Sequence, residues 1–219
     1  MSAVVDRRLR PGLIGAIAAA VLLTGCGGSG GGGPVSGIST PDNHGFHGTY
    51  LGSAAYPMST TELTDTAGRS VSLASSSAPV KLVFFGYSHC PDICQVVMST
   101  IASALIRLDA AQRAAVQVTF VTTDPARDTR SVLRAYLDRF NSTFVGLTGP
   151  LARISEAGKP LHVFVEKGQK LASGGYEVDH STYVYGAVGN RTQVIWNQAT
   201  SPAEMRADII KLLKQKETA

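Results

Sequence analysis

The sequence predicts an α/β fold, on three observations. An apolar, β-branched run from Val80 to Phe85 has the length of a buried strand, and after Gly86 to His89 it gives way to apolar residues at helical spacing. A second run, Val116 to Thr122, is likewise followed by a helical face made of Val132, Leu133, Tyr136, Leu137 and Phe140. Strand, helix, strand, helix in this order favours a parallel pair joined by a right-handed crossover.

The other elements fit around that unit. Met58 to Leu63 and Ser70 to Leu73 flank a turn at Asp65-Thr-Ala-Gly68, which reads as an N-terminal β-hairpin, and Ser75, Ser76, Ser77 and Pro79 close it as loop. The first helix runs through Ile93, Val96, Val97, Ile101, Ala104, Leu105 and Leu108, the spacing of one buried face. Asp128 or Thr129 caps the second. Phe144 to Leu147 is a short strand, Leu151 to Ala157 a brief helix stopped by Gly158 and Pro160, Leu161 to Val165 another strand, and Gly168 to Val178 a loop. Tyr183 to Val188 and Thr192 to Trp196 form a hairpin across Gly189-Asn190. Ser201-Pro-Ala-Glu204 is a capping box that opens the last helix through Met205, Ile209 and Leu212.

The chain begins with a targeting pattern. Arg7, Arg8 and Arg10 form a basic region, and Leu13 to Leu23 is an apolar stretch too short to span a bilayer. Leu23-Thr-Gly-Cys26 resembles the lipobox of bacterial lipoproteins, which makes Cys26 a lipidated first residue, on the extracytoplasmic face of the cell membrane. Gly27 to Gly33 cannot build a core and reads as a tether. The expected division is therefore 1–25 signal peptide, 26–49 Gly-rich tether and 50–219 folded domain. The chain has 20 basic and 16 acidic residues, but 1–25 holds three Arg and one Asp, so the rest carries only +2 and shows no nucleic-acid footprint.

Chemistry gathers at the first strand-to-helix junction, where Cys90 and Cys94 stand. Pro91 suits a first helical position and pushes the residue before it out of the helical region, which makes Cys90 the expected N-cap and Cys94 the residue one turn along. Both sulfurs then lie near backbone N–H groups and the positive end of the helix dipole, a setting that favours thiolate over thiol. Two thiolates within one turn serve as a redox disulfide, as soft metal ligands, or as both in alternation. Packing as small hydrophobes would not explain their place at a helix start in a chain otherwise almost without cysteine.

A lone histidine in a loop, such as His180, is more often structural or solvent-facing than a ligand. Added to two thiolates, however, it completes a three-coordinate, soft-leaning set that suits copper, Cu(I) above all, whereas structural zinc asks for a fourth protein ligand. His44 and His47 read as solvated linker residues and His162 as a surface or packed histidine. Asp124, before Pro125, is either an acceptor near the thiols or a turn-former. Functional groups gather beyond the carboxyl ends of parallel strands, so the loops bearing Cys90 and Asp124 should face one another.

Four segments in order, Phe85-Gly-Tyr-Ser-His-Cys-Pro-Asp-Ile-Cys94, Thr123-Asp-Pro-Ala-Arg-Asp-Thr129, Phe144-Val-Gly-Leu-Thr-Gly149 and Val178-Asp-His-Ser181, resemble the signature segments of the Sco/SenC family, and the likeness runs from about Met58 to the last helix. The resemblance implies a thioredoxin-like fold with a Sco-type hairpin insertion, and copper held by Cys90, Cys94 and His180; beside that set, Asp92 and Asp124 are the expected supporting residues. It also implies a role in building the binuclear copper centre of cytochrome c oxidase. The implied partners are the oxidase subunit that carries this centre, another periplasmic-type copper carrier, and the membrane through the lipid anchor. Gln95 stands where the family commonly has proline, which bears on loop rigidity, and a lipid replaces the transmembrane helix of mitochondrial members, so this member looks bacterial. A Cys90–Cys94 disulfide would abolish binding, so loading is gated by redox state. The rival reading is a thiol-disulfide oxidoreductase that reduces cysteines of a partner protein. A peroxiredoxin-like activity fits less well, because the second cysteine lies one turn from the first and no Pro-x-x-x-Thr-x-x-Cys segment is present.

Overall fold

The structure, a computed structural model, describes residues 43–170 and 176–217, with the side chains of 166–170, 176–180, 216 and 217 outside the description. Among the described residues, ten strands and five α-helices follow in chain order. They are β1 (Thr49–Tyr50), β2 (Leu63–Asp65), β3 (Ser70–Val71), β4 (Val80–Gly86), α1 (Ile93–Ile106), α2 (Ala110–Ala114), β5 (Val116–Thr122), α3 (Arg130–Asp138), β6 (Val145–Thr148), α4 (Leu151–Gly158), β7 (Val165–Lys170), β8 (Tyr176–His180), β9 (Val184–Val188), β10 (Arg191–Trp196) and α5 (Pro202–Glu217).

Eight strands form one sheet in the order β1-β10-β9-β4-β5-β6-β2-β3, and β7 and β8 form a second sheet of their own. At the centre β4 and β5 are parallel in the register Val80↔Val116 to Gly86↔Thr122, and β6 continues parallel beside β5. All seven residues of β4 are buried, as a strand covered on both faces requires. Its side chains alternate. Leu82 and Phe84 join a core with Val97, Met98 and Ile101 of α1, Leu133 and Leu137 of α3, and Ile209 and Leu212 of α5, whereas Val83 and Phe85 face Ile154 and Ala157 of α4 on the other side. This is the α/β, thioredoxin-like architecture expected from the sequence, with the β2–β3 hairpin ahead of β4.

Several local expectations change. The domain begins before residue 50. Phe46 is buried and stacks on Tyr50, and the His47 and Gly48 N–H groups donate to the buried carboxylate of Asp208, which also accepts from Trp196 Nε1 at 2.7 Å. Residues 43–49 thus belong to the domain rather than to the tether, because Asp208 supplies a buried acceptor that no local pattern announces. The strand placed at Leu161 to Val165 is instead a 3-10 turn, Lys159–Leu161, followed by His162 at φ 54°, where its ring meets Tyr56 edge-on at 4.7 Å. Of the segment read as a loop from Gly168 to Val178, residues 168–170 belong to β7 and 176–178 to β8, and 171–175 lie outside the described residues. The first hairpin strand lies at Leu63–Asp65, not Met58 to Leu63, because Asp65 ends it by accepting from the Ala67 and Arg69 N–H groups. Helix α2, absent from the sequence reading, is opened by a capping box between Asp109 and Gln112. The box at Ser201 and Glu204 and the β9–β10 turn with Gly189 at φ 57° are as expected.

Candidate metal centre

The end of β4 is shaped so that a sulfur can sit against it. A Cβ on Gly86 would stand 3.0 Å from Cys94 Sγ, 2.9 Å from the Phe84 ring and 3.2 Å from Phe120, so the missing side chain is the seat of the sulfur. The chain then turns, with the Cys90 N–H donating to the Tyr87 carbonyl at 3.2 Å, and enters α1 at Ile93. The N-cap position falls on Asp92, not Cys90; its φ of −140° and ψ of −82° leave its side chain making no capping bond. Cys90 serves the helix start in another way, since the Cys94 N–H donates to its Sγ at 3.4 Å. Pro91 and Asp92 form the bend between the two cysteines, which delays the helix by two residues relative to the expectation.

Both cysteines are buried, Cys90 at 6% and Cys94 at 0% exposure, and they are not joined by a disulfide. The expectation that both sulfurs favour thiolate fails for Cys94. Its pKa is pushed up, first by the adjoining Cys90 sulfur, then by burial, with Asp128 adding to this and the Tyr87 backbone amide opposing it. The neighbouring Cys90 sulfur, with burial second, outweighs the helix dipole here.

Asp128 ties the cysteine turn to β5. Its carboxylate is wholly buried and accepts from the Ser88 N–H at 2.9 Å, from Ser88 Oγ at 2.5 Å and from Thr122 Oγ1 at 2.6 Å. The Thr123 N–H donates to the Gly86 carbonyl at 2.7 Å, so the two loops meet as their strand ends require. Thr129, not Asp128, caps α3, accepting from the Val132 N–H. The sequence reading named Asp128 only as a capping candidate; its signal was its place between a strand end and a helix start, where an alternative cap lay next door.

Of the expected supporting residues, Asp92 stands on the bend between the two cysteines and Asp124 on the loop after β5. Asp92 is exposed at the start of α1. The Asp124 carboxylate pairs with Arg127 Nε, and the Arg127 guanidinium lies 5.6 Å above the Tyr87 ring, so Asp124 reaches the cysteine turn through Arg127. His89 is half exposed, with Nδ1 2.9 Å from Ser88 Oγ and 3.7 Å from Asp128 Oδ1. His180 ends β8 opposite Val165, and its side chain lies outside the described residues. The chain returns to the main sheet at Val184, opposite Phe84, at the end of β4 that launches the cysteine turn. Four residues span at most about 14 Å, which bounds how far the His180 backbone stands from that point. Among the described residues no group of three His, Cys, Asp or Glu side chains is arranged to hold a metal, and no helix is long and apolar enough to cross a membrane. Cys26 lies outside the described residues.

Fold and site together define a thioredoxin-like protein with a dithiol at the mouth of its first long helix. Residues 54–214 match the SCO1/SenC family model, and the chain belongs to that family. Its sequence is 38% identical over 105 residues to the mitochondrial SCO2 homolog of Danio rerio, a stretch of 48% of this chain and 38% of that protein, so the match spans well under half of the relative's length. The structure resembles apo Sco1 of Thermus thermophilus with a TM-score of 0.69 and 31% identity, over 76% of this chain and 96% of that one. It also resembles Bradyrhizobium japonicum ScoI with copper bound, at a TM-score of 0.62 and 29% identity, over 72% of this chain and 97% of that one.

Proposed function

We propose that this protein is a copper carrier held at the extracytoplasmic face of the cell membrane by a lipid on Cys26. It receives copper from another carrier outside the cytoplasm and delivers it to the oxidase subunit that bears the binuclear copper site of cytochrome c oxidase. Cys90, Cys94 and His180 hold the metal, with Asp124 supporting the turn through Arg127 and Asp92 standing at its rim. The observation that carries the reading is a pair of buried thiols one turn apart, one of them already accepting a helix amide, in a family whose relatives include a copper-bound structure.

The chemistry follows from the ligand set. Each thiol gives its proton to solvent as Cu(I) binds, and thiolate and imidazole are ligands that soft copper accepts. Three protein ligands are fewer than a closed structural cage, so an incoming thiolate of the acceptor has a place to bind before the carrier lets go. His180 sits at the end of a hairpin hydrogen-bonded to itself, apart from the sheet that carries the cysteines, which gives the third ligand a separate support.

A second reading is favoured by one observation: Cys90 is slightly exposed while Cys94 is sealed, the arrangement of an attacking and a resolving thiol in disulfide exchange. The two readings part on oxidation. Titrating the fully reduced and the disulfide-bonded protein with Cu(I) in the presence of a competing chelator should give one tightly held copper per reduced chain and none per oxidised chain. Weak, redox-independent uptake would leave only the oxidoreductase.

A further inference from the structure

A cleft of about 320 Å³ opens between the cysteine turn and α3, lined by Ser88 and His89 from the turn and by Val132, Ala135, Tyr136 and Arg139 from the helix. His89 is bonded to Cys90, the cysteine that keeps some exposure, 6% against 0% for Cys94. A group lodged in the cleft is therefore a neighbour of the thiol that a visitor can reach.

Two side chains of the cleft are fixed in place with polar atoms left over. Arg127 pairs with Asp124 and Arg134 with Asp138, but Arg139 has no carboxylate among the described residues. Its Nε donates to the Tyr136 carbonyl at 3.4 Å, and its guanidinium lies 4.8 Å above the Tyr136 ring and 5.9 Å from that of Phe140. A fork already ordered by stacking loses little freedom on meeting a carboxylate. His89 is held by Ser88. The Ser88 hydroxyl gives its single hydrogen to Asp128, and a carboxylate has none to return, so Ser88 offers His89 only lone pairs. The 2.9 Å contact between them thus uses the hydrogen of His89 Nδ1, which also lies 3.7 Å from Asp128 Oδ1. In the neutral ring that arrangement leaves Nε2 as a bare acceptor.

The two walls ask for different things. A simple anion would suit Arg139 and meet the lone pair of His89, whereas a peptide with an acidic side chain suits both, through its carboxylate and a main-chain N–H. The acidic groups nearby do not oppose it, since Asp138 is taken by Arg134 and Asp128 is buried among its donors. We infer that this cleft docks an acidic, cysteine-bearing segment of the protein that exchanges with the dithiol, Arg139 taking its carboxylate and His89 a backbone N–H. The identity of the visitor rests on the reading of the dithiol as meeting another protein's thiols. A chain that takes up no copper would sink the carrier and leave the docking to be decided by disulfide exchange alone.

The experiment oxidises the full chain to the Cys90–Cys94 disulfide and follows its reduction by 2-mercaptoethanol and by two blocked tripeptides, cysteine flanked on both sides by glutamate or by glutamine. The thiolate attacks the Cys90 sulfur, the Cys90–Cys94 bond breaks, and Cys94 leaves as a thiolate that takes a proton from water. A second reductant thiolate then releases Cys90, so two thiols are oxidised for one disulfide reduced. Arg139→Gln should lower the ratio of the glutamate-peptide rate to the glutamine-peptide rate about fivefold. Arg130→Gln removes an exposed charge from the same helix outside the cleft and should leave that ratio within about twofold. His89→Leu should lower the rate of both peptides relative to 2-mercaptoethanol, which has no peptide N–H, by about threefold. These three results together support the docking. It is overturned by an unchanged glutamate-to-glutamine ratio in Arg139→Gln, by an equal fall in Arg130→Gln, or by an unchanged peptide-to-mercaptoethanol ratio in His89→Leu.

Discussion

The turn that carries Cys90 and Cys94 is bound into the main sheet, whereas the hairpin that carries His180 pairs with itself. Asp128 fixes Ser88 to β5, Thr123 fixes Gly86, and Gly86 leaves room for the Cys94 sulfur. The β7–β8 hairpin joins the domain at its base, where the Ser181 N–H donates to the Phe164 carbonyl, Ser181 Oγ accepts from the Phe164 N–H at 3.1 Å, and Val165 packs on both cores. One part of the proposed ligand set is therefore preorganised at the cost of folding, and the other, among the described residues, is joined through Ser181, Phe164 and Val165. A carrier needs both: a seat that does not reorganise, and a ligand whose release does not unfold the seat.

Substitutions can break this contrast or sharpen it. The largest effect should come from Asp128→Ala, which strips the Ser88 and Thr122 donors of their buried acceptor. About 3 kcal/mol of stability should be lost in urea unfolding, with the cysteine turn loosened. Gly86→Ala comes next. The new methyl meets Cys94 Sγ, Phe84 and Phe120, so about 2 kcal/mol should be lost and the Cys94 sulfur displaced, seen as faster alkylation of a thiol that is otherwise sealed. At the hairpin base, Ser181→Ala should cost about 1–2 kcal/mol, because it abandons the Phe164 N–H near solvent and the hydroxyl of the buried Tyr185. A loss as large as that of Asp128→Ala would show the hairpin to be as firmly built in as the turn.

The smallest effect is a pH dependence far from the site. Burial raises the Asp65 pKa, but hydrogen bonds from Arg69 and Ala67 and the Arg69 charge outweigh it, so the net shift is downward. A carboxylate depressed on folding adds stability that is fully present above its ordinary value of 3.8 and disappears as pH falls through the lower folded value. Asp65→Asn should therefore flatten part of the acid-side slope of the stability curve, measured by urea unfolding from about pH 3 to pH 7, and leave the slope near neutrality as it was.

The sheet and its helices were legible because their signals are local. Seven buried residues in β4, the α1 face and the Ser201 capping box each state their structure within one element. Misreadings occur where a distant group decides. Residues 43–49 look like linker until Asp208, some 160 positions away, supplies their acceptor. His162 alternates with Val163 as in a strand, yet the preceding 3-10 turn carries it into the left-handed region. At the site, Cys90, Cys94 and the meeting of their loop with that of Asp124 follow from strand ends and a proline. The role of Asp128 does not, because a buried acceptor is a property of packing rather than of spacing. The Cys94 thiol departs from expectation for the same reason, since the helix dipole can be inferred from sequence whereas the contact with the Cys90 sulfur and complete burial cannot.

The central claim is that His180 joins the two thiols in holding one copper. The direct test is the Cu(I) affinity of the reduced protein beside that of His180→Ala, with the rate of thiol-disulfide exchange measured on both. The parent should hold one tightly bound copper, the variant should bind about tenfold or more weakly, and the exchange rates should differ little. Equal copper affinity in the two proteins would contradict it and leave the dithiol with redox work alone.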